Sequence, residues 1–549
     1  MGPRQFRDAF PPGLYPGAFL CHHAHFDGLI LSHHFGVKPR YWLDTLSMAR
    51  QVLGNHLKKG LGELATHYRL PQKNVPYNLF KGKHWQDLDP PTQQLLADGC
   101  VHDVSLTYKI FTKLVEEFPK SEYSLIDLTI RMFTEPMLEG DLDLFGQLWL
   151  AERDRKQDLL DHLNITADQL QSANQFADLL RERGVEPPMK YGGKHGLIYA
   201  FAKTDRFMRE GQDNELVGDL VRARLGVRST IIQSRTERLG DMATRGAMPV
   251  YISYCGAHTT RWSGADKTNW QNFKRGHAIR QGIRAPAGFV CAVADASQIE
   301  CRLLNFFAGQ WDIVQAFREK RDLYSELASK FYGRPVTKQD TNERQLGKVL
   351  ELASGYGSGA ETIQRTMRNA SPAVTIDARE ASAAVRLYRT THPKITSLWG
   401  SAGALLPILA DSGHAPVYWD HNVWIARGRL WGPTGTWIDY STLAHLNGEW
   451  RFQKRDGWRR IWGGFLVENL IQFLARIHLG GVMKELVRAG IPKIALSTHD
   501  DVFALVRDDA DQEKWLARMI ELMSTPPQWM PDVPLAAEGH LGKTYGECK

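Results

Sequence analysis

Cysteine is scarce in this chain: six in 549 residues, at positions 21, 100, 255, 291, 301 and 548, with no C-x-x-C pair. That pattern excludes a disulfide-stapled scaffold and a cysteine zinc site, and it suits a reducing cytosol. Long apolar runs are missing too, since none approaches the roughly 18 residues of a membrane span, so no membrane partner is expected. Met1 to Phe10 lacks the apolar centre of a secretory leader. There is no fixed-period repeat and no low-complexity tract, which removes solenoids and disordered arrays. Charge of either sign hardly dominates: 68 Lys and Arg against 61 Asp and Glu leave +7. Such a surplus points to a polyanionic partner only where it is clustered, and a solvated basic surface fits it equally. What is present is an apolar fraction of 43 %, enough for a packed core, and length for three or four domains at about 150 residues each.

Residues 1 to about 115 mix short apolar runs with many His and Gly-Pro turns. From about 115 to 245 the pattern is helical and heavily charged, with a break at Gly184-Val-Glu-Pro-Pro188. The stretch 216–238 reads as one basic helix carrying Arg222, Arg224, Arg228, Arg235 and Arg238. It could be a solvated face or a helix lying along a phosphate backbone. Beyond 285, strands alternate with long helices, the latter including 343–352 and 466–487. Phe289-Val-Cys-Ala-Val-Ala294 is a β-rich run ending at Asp295. Lys493-Ile-Ala-Leu-Ser-Thr498 ends at His499-Asp500-Asp501, and Val502-Phe-Ala-Leu-Val506 follows, which predicts a hairpin with carboxylates at its tip.

An aspartate at a strand end is commonly a turn former. Two-metal phosphoryl transfer, however, needs carboxylates from distant parts of a chain to converge on ions about 3.5–4 Å apart, and Asp295 with Asp500 could do so. Arg344, Lys348, Leu352 and Tyr356 recur every fourth residue and share one helix stripe, graded from cationic to aromatic. An ordinary amphipathic helix would look the same; a triphosphate at one end and a sugar and base at the other would also fit. Ser297-Gln-Ile-Glu300 reads as a capping box opening a helix from Ile299 to Phe307.

Together these strings resemble the family A DNA polymerases, the DNA polymerase I family. Asp295-Ala-Ser-Gln-Ile-Glu-Cys-Arg302 resembles motif A, Arg344-x-x-x-Lys348-x-x-x-Leu352-x-x-x-Tyr356-Gly357 motif B, and His499-Asp500-Asp501 motif C. Thr259-Thr-Arg-Trp-Ser-Gly264 with Asn269-Trp-Gln-Asn272 is similar to the family's T-G-R-x-S…N-x-Q-N stretch, and Glu468-Asn469-x-x-Gln472-x-x-x-Arg476 to the polar helix of phage members. The resemblance implies an α+β right-hand fold of palm, fingers and thumb behind a truncated RNase H-like 3′→5′ exonuclease domain. It places the exonuclease-like part at 1–115, the thumb at 116–245, the palm at 246–304 and 416–549, and the fingers at 305–415. Asp295 and Asp500, with the Ala296 backbone carbonyl, would hold two Mg²⁺ ions. Arg344 and Lys348 would grip the phosphates, Lys348 giving a proton to pyrophosphate. Gln298 would line the triphosphate site, Glu300 would exclude a ribose 2′-hydroxyl, and Leu352 and Tyr356 would flank sugar and nascent pair. Arg261, Asn269, Gln271, Asn272, Gln472 and His499 would follow the primer-template, with Arg228 on the thumb. The expected partners are primer-template DNA, deoxynucleotides and other phage replication proteins, for a monomer in the cytoplasm of an infected bacterium.

Three positions depart from the pattern: Leu352 replaces an aromatic ring, Thr260 a Gly, and Asp501 a Glu. At the front, His22-His-Ala-His-Phe-Asp27 and Gly99-Cys-Val-His-Asp103 resemble the second and third exonuclease motifs, with Asp27 and Asp103 as ligands. The first motif has no counterpart and Gly99 stands where a catalytic Tyr belongs, so exonuclease activity is doubtful and either a remnant or a start further upstream is expected. The histidines at 22, 23, 25, 33 and 34 lack zinc-ligand spacing and read as an exposed loop. Rival readings are a single-subunit RNA polymerase, against which Glu300 and the exonuclease-like front argue, an inactive polymerase fold that binds nucleic acid, and a nuclease clamped by a polymerase half.

Overall fold

Val290 to Ala294 is apolar at every position because the strand it builds, β3 (Phe289–Ala296), is the interior of a sheet and is buried almost throughout. The computed structural model describes residues 3–73, 75–192 and 196–548. Its central sheet has the order β6 (Lys493–Thr498), β7 (Asp501–Arg507), β3, β8 (Ala537–Gly542), with every pair antiparallel. The predicted hairpin is therefore β6–β7, and its tip is laid against the carboxyl end of β3. Helix α13 (Gln512–Ser524) packs on β3, and the 26-residue α12 (Gly463–Arg488) packs on α13.

Around α12 stand the helices that carry the second motif. Helix α8 (Ile299–Ala308) follows β3 directly, α9 (Leu323–Tyr332) crosses α10 (Thr341–Ala353), and α11 (Pro393–Ala404) lies on α12. The α9–α10 crossing is close because Gly347 has no side chain: a Cβ there would sit 1.9 Å from the Tyr324 carbonyl oxygen. A four-stranded meander over 417–439 and a hairpin of β4 (Glu449–Lys454) and β5 (Gly457–Arg460) lead into α12.

The amino-terminal region shares the main core. β1 (Gly13–Cys21) and β2 (Val37–Asp44) pair in parallel around α1 (Ala24–Leu29), followed by α2 (Thr45–Val52) and α3 (Pro90–Leu114). Trp42, Met48, Leu64 and Ile110 join Ile126 and Ile130 of α4 (Tyr123–Thr134) and the sheet in one continuous apolar cluster. A second, separate core at Leu160, Leu170, Phe176, Leu180, Phe201 and Val221 lies at the far end of α5 (Leu142–Leu163).

Two expectations are corrected. The single basic helix over 216–238 is two, α6 (Gly218–Arg228) and α7 (Ile231–Ala243), separated by Ser229 and Thr230. Arg224 is buried, donates to the Leu170 and Ser172 carbonyls and stacks against Phe176 and Phe201, so it holds the small core together. The histidines from 22 to 25 form no exposed loop: His25 is buried against Tyr251, and His22 and His23 are hydrogen-bonded to Thr45 and Tyr251.

Candidate active site

Asp295 near the end of β3 and Asp501 at the start of β7 are direct cross-strand partners. Asp500 sits in the turn before β7, reached through His499 in the left-handed region at φ 51°. The Ala296 amide donates to the Asp500 carbonyl at 3.1 Å and pins that turn to β3. One carboxylate oxygen from each of Asp295, Asp500 and Asp501 lies within 4.8 Å of the others. Burial and Asp295 push the Asp500 carboxyl up to about 6; burial and a hydrogen bond with Asp295 push Asp501 up to about 8. Arg275 answers this charge with ion pairs to Asp295 and, at 3.3 Å, to Asp501. Such a set of hard oxygen donors fits a divalent cation that keeps its other positions for water or phosphate.

Beside Asp500 opens a cavity of about 290 Å³ lined by Gln298, Glu300, Leu352 and Tyr356. The capping box does not form. Gln298, not Ser297, precedes α8, and it takes the left-handed conformation at φ 54° with no side-chain cap. That twist frees Glu300, which pairs with Arg261 and accepts from the Tyr356 hydroxyl at 3.1 Å. Burial and Glu300 hold the Tyr356 phenol well above its usual pKa. Tyr356 lies in a 3-10 turn, Ser354–Tyr356, just past α10, and still continues its stripe. Leu352 is 47 % exposed on the cavity wall. Gln298 Oε1 is buried without a hydrogen-bond partner in the protein.

The two cations of α10 differ. Arg344 is held by both oxygens of Asp322 at 2.8 and 3.0 Å and stacks on Tyr324. Lys348, half-buried, has no hydrogen bond or ion pair among the described residues. Gln472 lines the neighbouring cavity and is linked to Thr259 and Glu468. His499 is exposed, and burial on one side with Arg261 nearby lowers its pKa. Gln271, by contrast, is buried and donates to the Ser497 carbonyl at 2.8 Å, bracing β6 from behind. Asn272 is exposed and its carbonyl accepts from Arg235, while Asn269 turns at φ 47° and Arg228 is exposed on α6. Sequence reasoning missed Arg275 and Asp322; the basic pair Lys274-Arg275 after the Asn269–Asn272 run was the one available signal.

The exonuclease-like strings do not assemble a comparable centre. Asp27 is exposed on α1, Asp103 on α3 pairs with Lys73 at 2.7 Å, and Asp44 is fully buried as the cap of α2. A Cβ at Gly99 would lie 2.4 Å from Val75, so no tyrosine fits there. Among the described residues, Asp295, Asp500 and Asp501 form the one such carboxylate group.

A sequence profile of DNA polymerase family A matches residues 152–402. The DNA polymerase of Bacillus phage SP02 is 23 % identical over 606 aligned positions, covering 96 % of this chain and 89 % of that protein. DNA polymerase I of Chloroflexus aurantiacus is 26 % identical over 62 % of this chain, which spans only 38 % of that longer protein. The thermostable DNA polymerase I of Thermus filiformis is 30 % identical over 53 % of this chain and 31 % of its own length. Among solved structures, the POL domain of Pol1 from M. smegmatis, in complex with DNA primer-template and dNTP, aligns at a TM-score of 0.68 and 17 % identity. It covers 97 % of this chain and 86 % of its own, so the two share a fold.

Proposed function

We infer that this chain is a family A DNA polymerase and that it extends a primer on a DNA template by adding deoxynucleotides to the 3′-hydroxyl, in phage replication within the host cytoplasm. The observation that carries this reading is the convergence of three aspartates from two distant stretches beside a cavity lined by Gln298, Glu300, Leu352 and Tyr356. Asp295 and Asp500, with Asp501 beside them, are the residues that would hold Mg²⁺. A bound Mg²⁺ pair supplies activation of the primer hydroxyl and charge neutralisation at the leaving pyrophosphate. Arg275 leaves the carboxylates when a cation takes its place. Lys348 reaches the triphosphate and offers its proton to the leaving group; Arg344 grips the phosphates only after parting from Asp322. Helix α10 is therefore the piece that moves on a correct pair. Arg261 and Tyr356 hold the Glu300 carboxylate on the sugar side of the cavity, where a 2′-hydroxyl would meet it. We place the palm on the central sheet, the fingers on α9 to α11 and the thumb on α5 to α7.

Extension of a labelled primer with deoxynucleotides or ribonucleotides alone tests this. The expected product follows the template and appears with deoxynucleotides. Extension with ribonucleotides alone would favour an RNA polymerase, and binding without extension an inactive fold.

A further inference from the structure

The loop that carries Arg261 is held in a conformation its own sequence does not favour. Thr260 sits in the left-handed region at φ 59°, where a β-branched residue is rarely found and a glycine is at ease. Two backbone bonds close the turn, from the Thr260 amide to the Ala257 carbonyl and from the Ala257 amide to the Arg261 carbonyl, both at 3.1 Å. Such a residue persists only where its surroundings over-determine it. Here the surroundings are α12. Arg476 Nε donates to the Thr260 carbonyl at 3.1 Å, and one turn earlier Gln472 accepts from the Thr259 hydroxyl at 3.3 Å. The Arg476 guanidinium also lies over the Trp262 ring at 4.6 Å, so both neighbours of Arg261 are held by the same side chain.

Arg476 is itself buried, and its Nη2 meets the equally buried Glu122 at 2.6 Å, from 354 residues away in the chain. Glu122 accepts a second bond from the Tyr254 hydroxyl at 2.7 Å. Burial alone would push the Glu122 carboxyl up, yet Arg476 and Tyr254 hold it below its usual value, so the pair is ionised. Taking two charges out of water is costly, and apolar residues of similar volume often replace such a pair with no loss of stability. Arg476 Nη1 is buried with no hydrogen-bond partner in the protein, so the guanidinium is not placed for the sake of its own bonds. What an apolar pair could not supply is the donor on the Thr260 carbonyl. Next along the chain, the Arg261 guanidinium pairs with Glu300. Burial raises the Asp500 and Glu468 carboxyls, and the Arg261 charge opposes it at both.

We propose that Arg476, backed by Glu122, is a positioning residue that sets Arg261 against Glu300 and so sharpens the choice of sugar in the active site. The inference rests on the reading of Glu300 as the group that a 2′-hydroxyl would meet. Arg476 acts through the Thr260 peptide. With that donor gone, Thr260 relaxes out of the left-handed region, the turn carries Arg261 away, and Glu300 keeps only the Tyr356 hydroxyl as a partner. A carboxylate with one partner fewer no longer holds a fixed place at the sugar edge.

The test is a cycle of variants read in two ways. Glu122→Leu/Arg476→Met removes both charges together, and Arg476→Lys keeps a cation for Glu122 without the planar fork that spans Glu122 and Thr260. Thermal unfolding first establishes that each is folded at the assay temperature. Phenylglyoxal modification followed by peptide mass spectrometry then reads Arg261 without turnover. Ion-paired and 17 % exposed in the wild type, Arg261 should be modified faster in both variants, as it is in Glu300→Ala. The second reading is the ratio of ribonucleotide to deoxynucleotide kcat/KM on primer-template. The double variant should relax it by about tenfold, the scale of one lost hydrogen bond, and by nothing further in a Glu300→Ala background, because the path runs through Glu300. A wild-type modification rate in both variants, a wild-type ratio beside a relaxed Glu300→Ala, or an equal relaxation with and without Glu300 overturns the inference. If Glu300→Ala itself leaves the ratio unchanged, the reading of Glu300 fails, and the modification rate alone decides whether Arg476 places Arg261.

Discussion

Asp295, Asp500 and Asp501 share one end of one sheet, whereas in the amino-terminal region Asp27 is exposed, Asp44 caps a helix and Asp103 pairs with a lysine. The same residue type, in strings that resemble motifs in both places, meets two fates. In the sheet, antiparallel register forces Asp501 opposite Asp295 and the tight turn brings Asp500 beside them, so repulsion accumulates and is relieved by protonation, by Arg275 or by a bound cation. In the amino-terminal region, Asp44 accepts from four backbone amides and a serine hydroxyl, and Asp103 has its own lysine. A carboxylate that is already satisfied has little to offer a metal. Convergence, not the presence of the aspartates, separates the two regions.

The contrast breaks most sharply on substitution. Asp295→Asn should slow primer extension by about 10³-fold, the scale of losing a principal electrostatic group at a reacting centre, while Asp103→Asn leaves single-turnover rates within about twofold. Next comes selectivity inside the cavity: Glu300→Ala should raise ribonucleotide use relative to deoxynucleotide by about 10²-fold, measured as a ratio of kcat/KM values. An unchanged ratio would show that Glu300 only anchors Arg261 and Tyr356. Leu352→Phe restores a ring on the cavity wall and should shift the dideoxynucleotide-to-deoxynucleotide ratio by up to about tenfold, the scale of one aromatic contact; equal ratios in competition would refute it. The smallest effect is on stability. In chelator, Asp500 and Asp501 bind protons more tightly folded than unfolded, so stability falls as pH rises from about 4 through 6 and 8. Thermal unfolding of Asp501→Asn should show a flatter pH profile, and Asp103→Asn the wild-type one.

Much of this site was legible in the sequence because strand periodicity and spacing are local. The run 289–294, the acidic turn at 499–501 and the stripe from Arg344 to Tyr356 all take their expected places, and the cavity gathers Gln298, Glu300, Leu352 and Tyr356. What failed depended on tertiary partners. Ser297 and Glu300 have capping-box spacing, yet the left-handed Gln298 turns Glu300 toward Arg261, 39 residues away. Arg224 looks like a surface cation in its helix, but two rings from other segments enclose it. Gln271 belongs to a polar run expected along DNA and instead braces β6. Arg275 and Asp322 gain their meaning only from the carboxylates and guanidinium they face. No spacing rule reports such distant pairings.

The most direct measurement places synthesis and degradation in one lane: a 5′-labelled primer on template DNA with Mg²⁺, with and without the four deoxynucleotides, for wild type and Asp500→Asn. The account predicts that wild type lengthens the primer when nucleotides are present and leaves it intact when they are absent, and that Asp500→Asn does neither. Extension by Asp500→Asn, or shortening of the primer that persists in that variant, would contradict it.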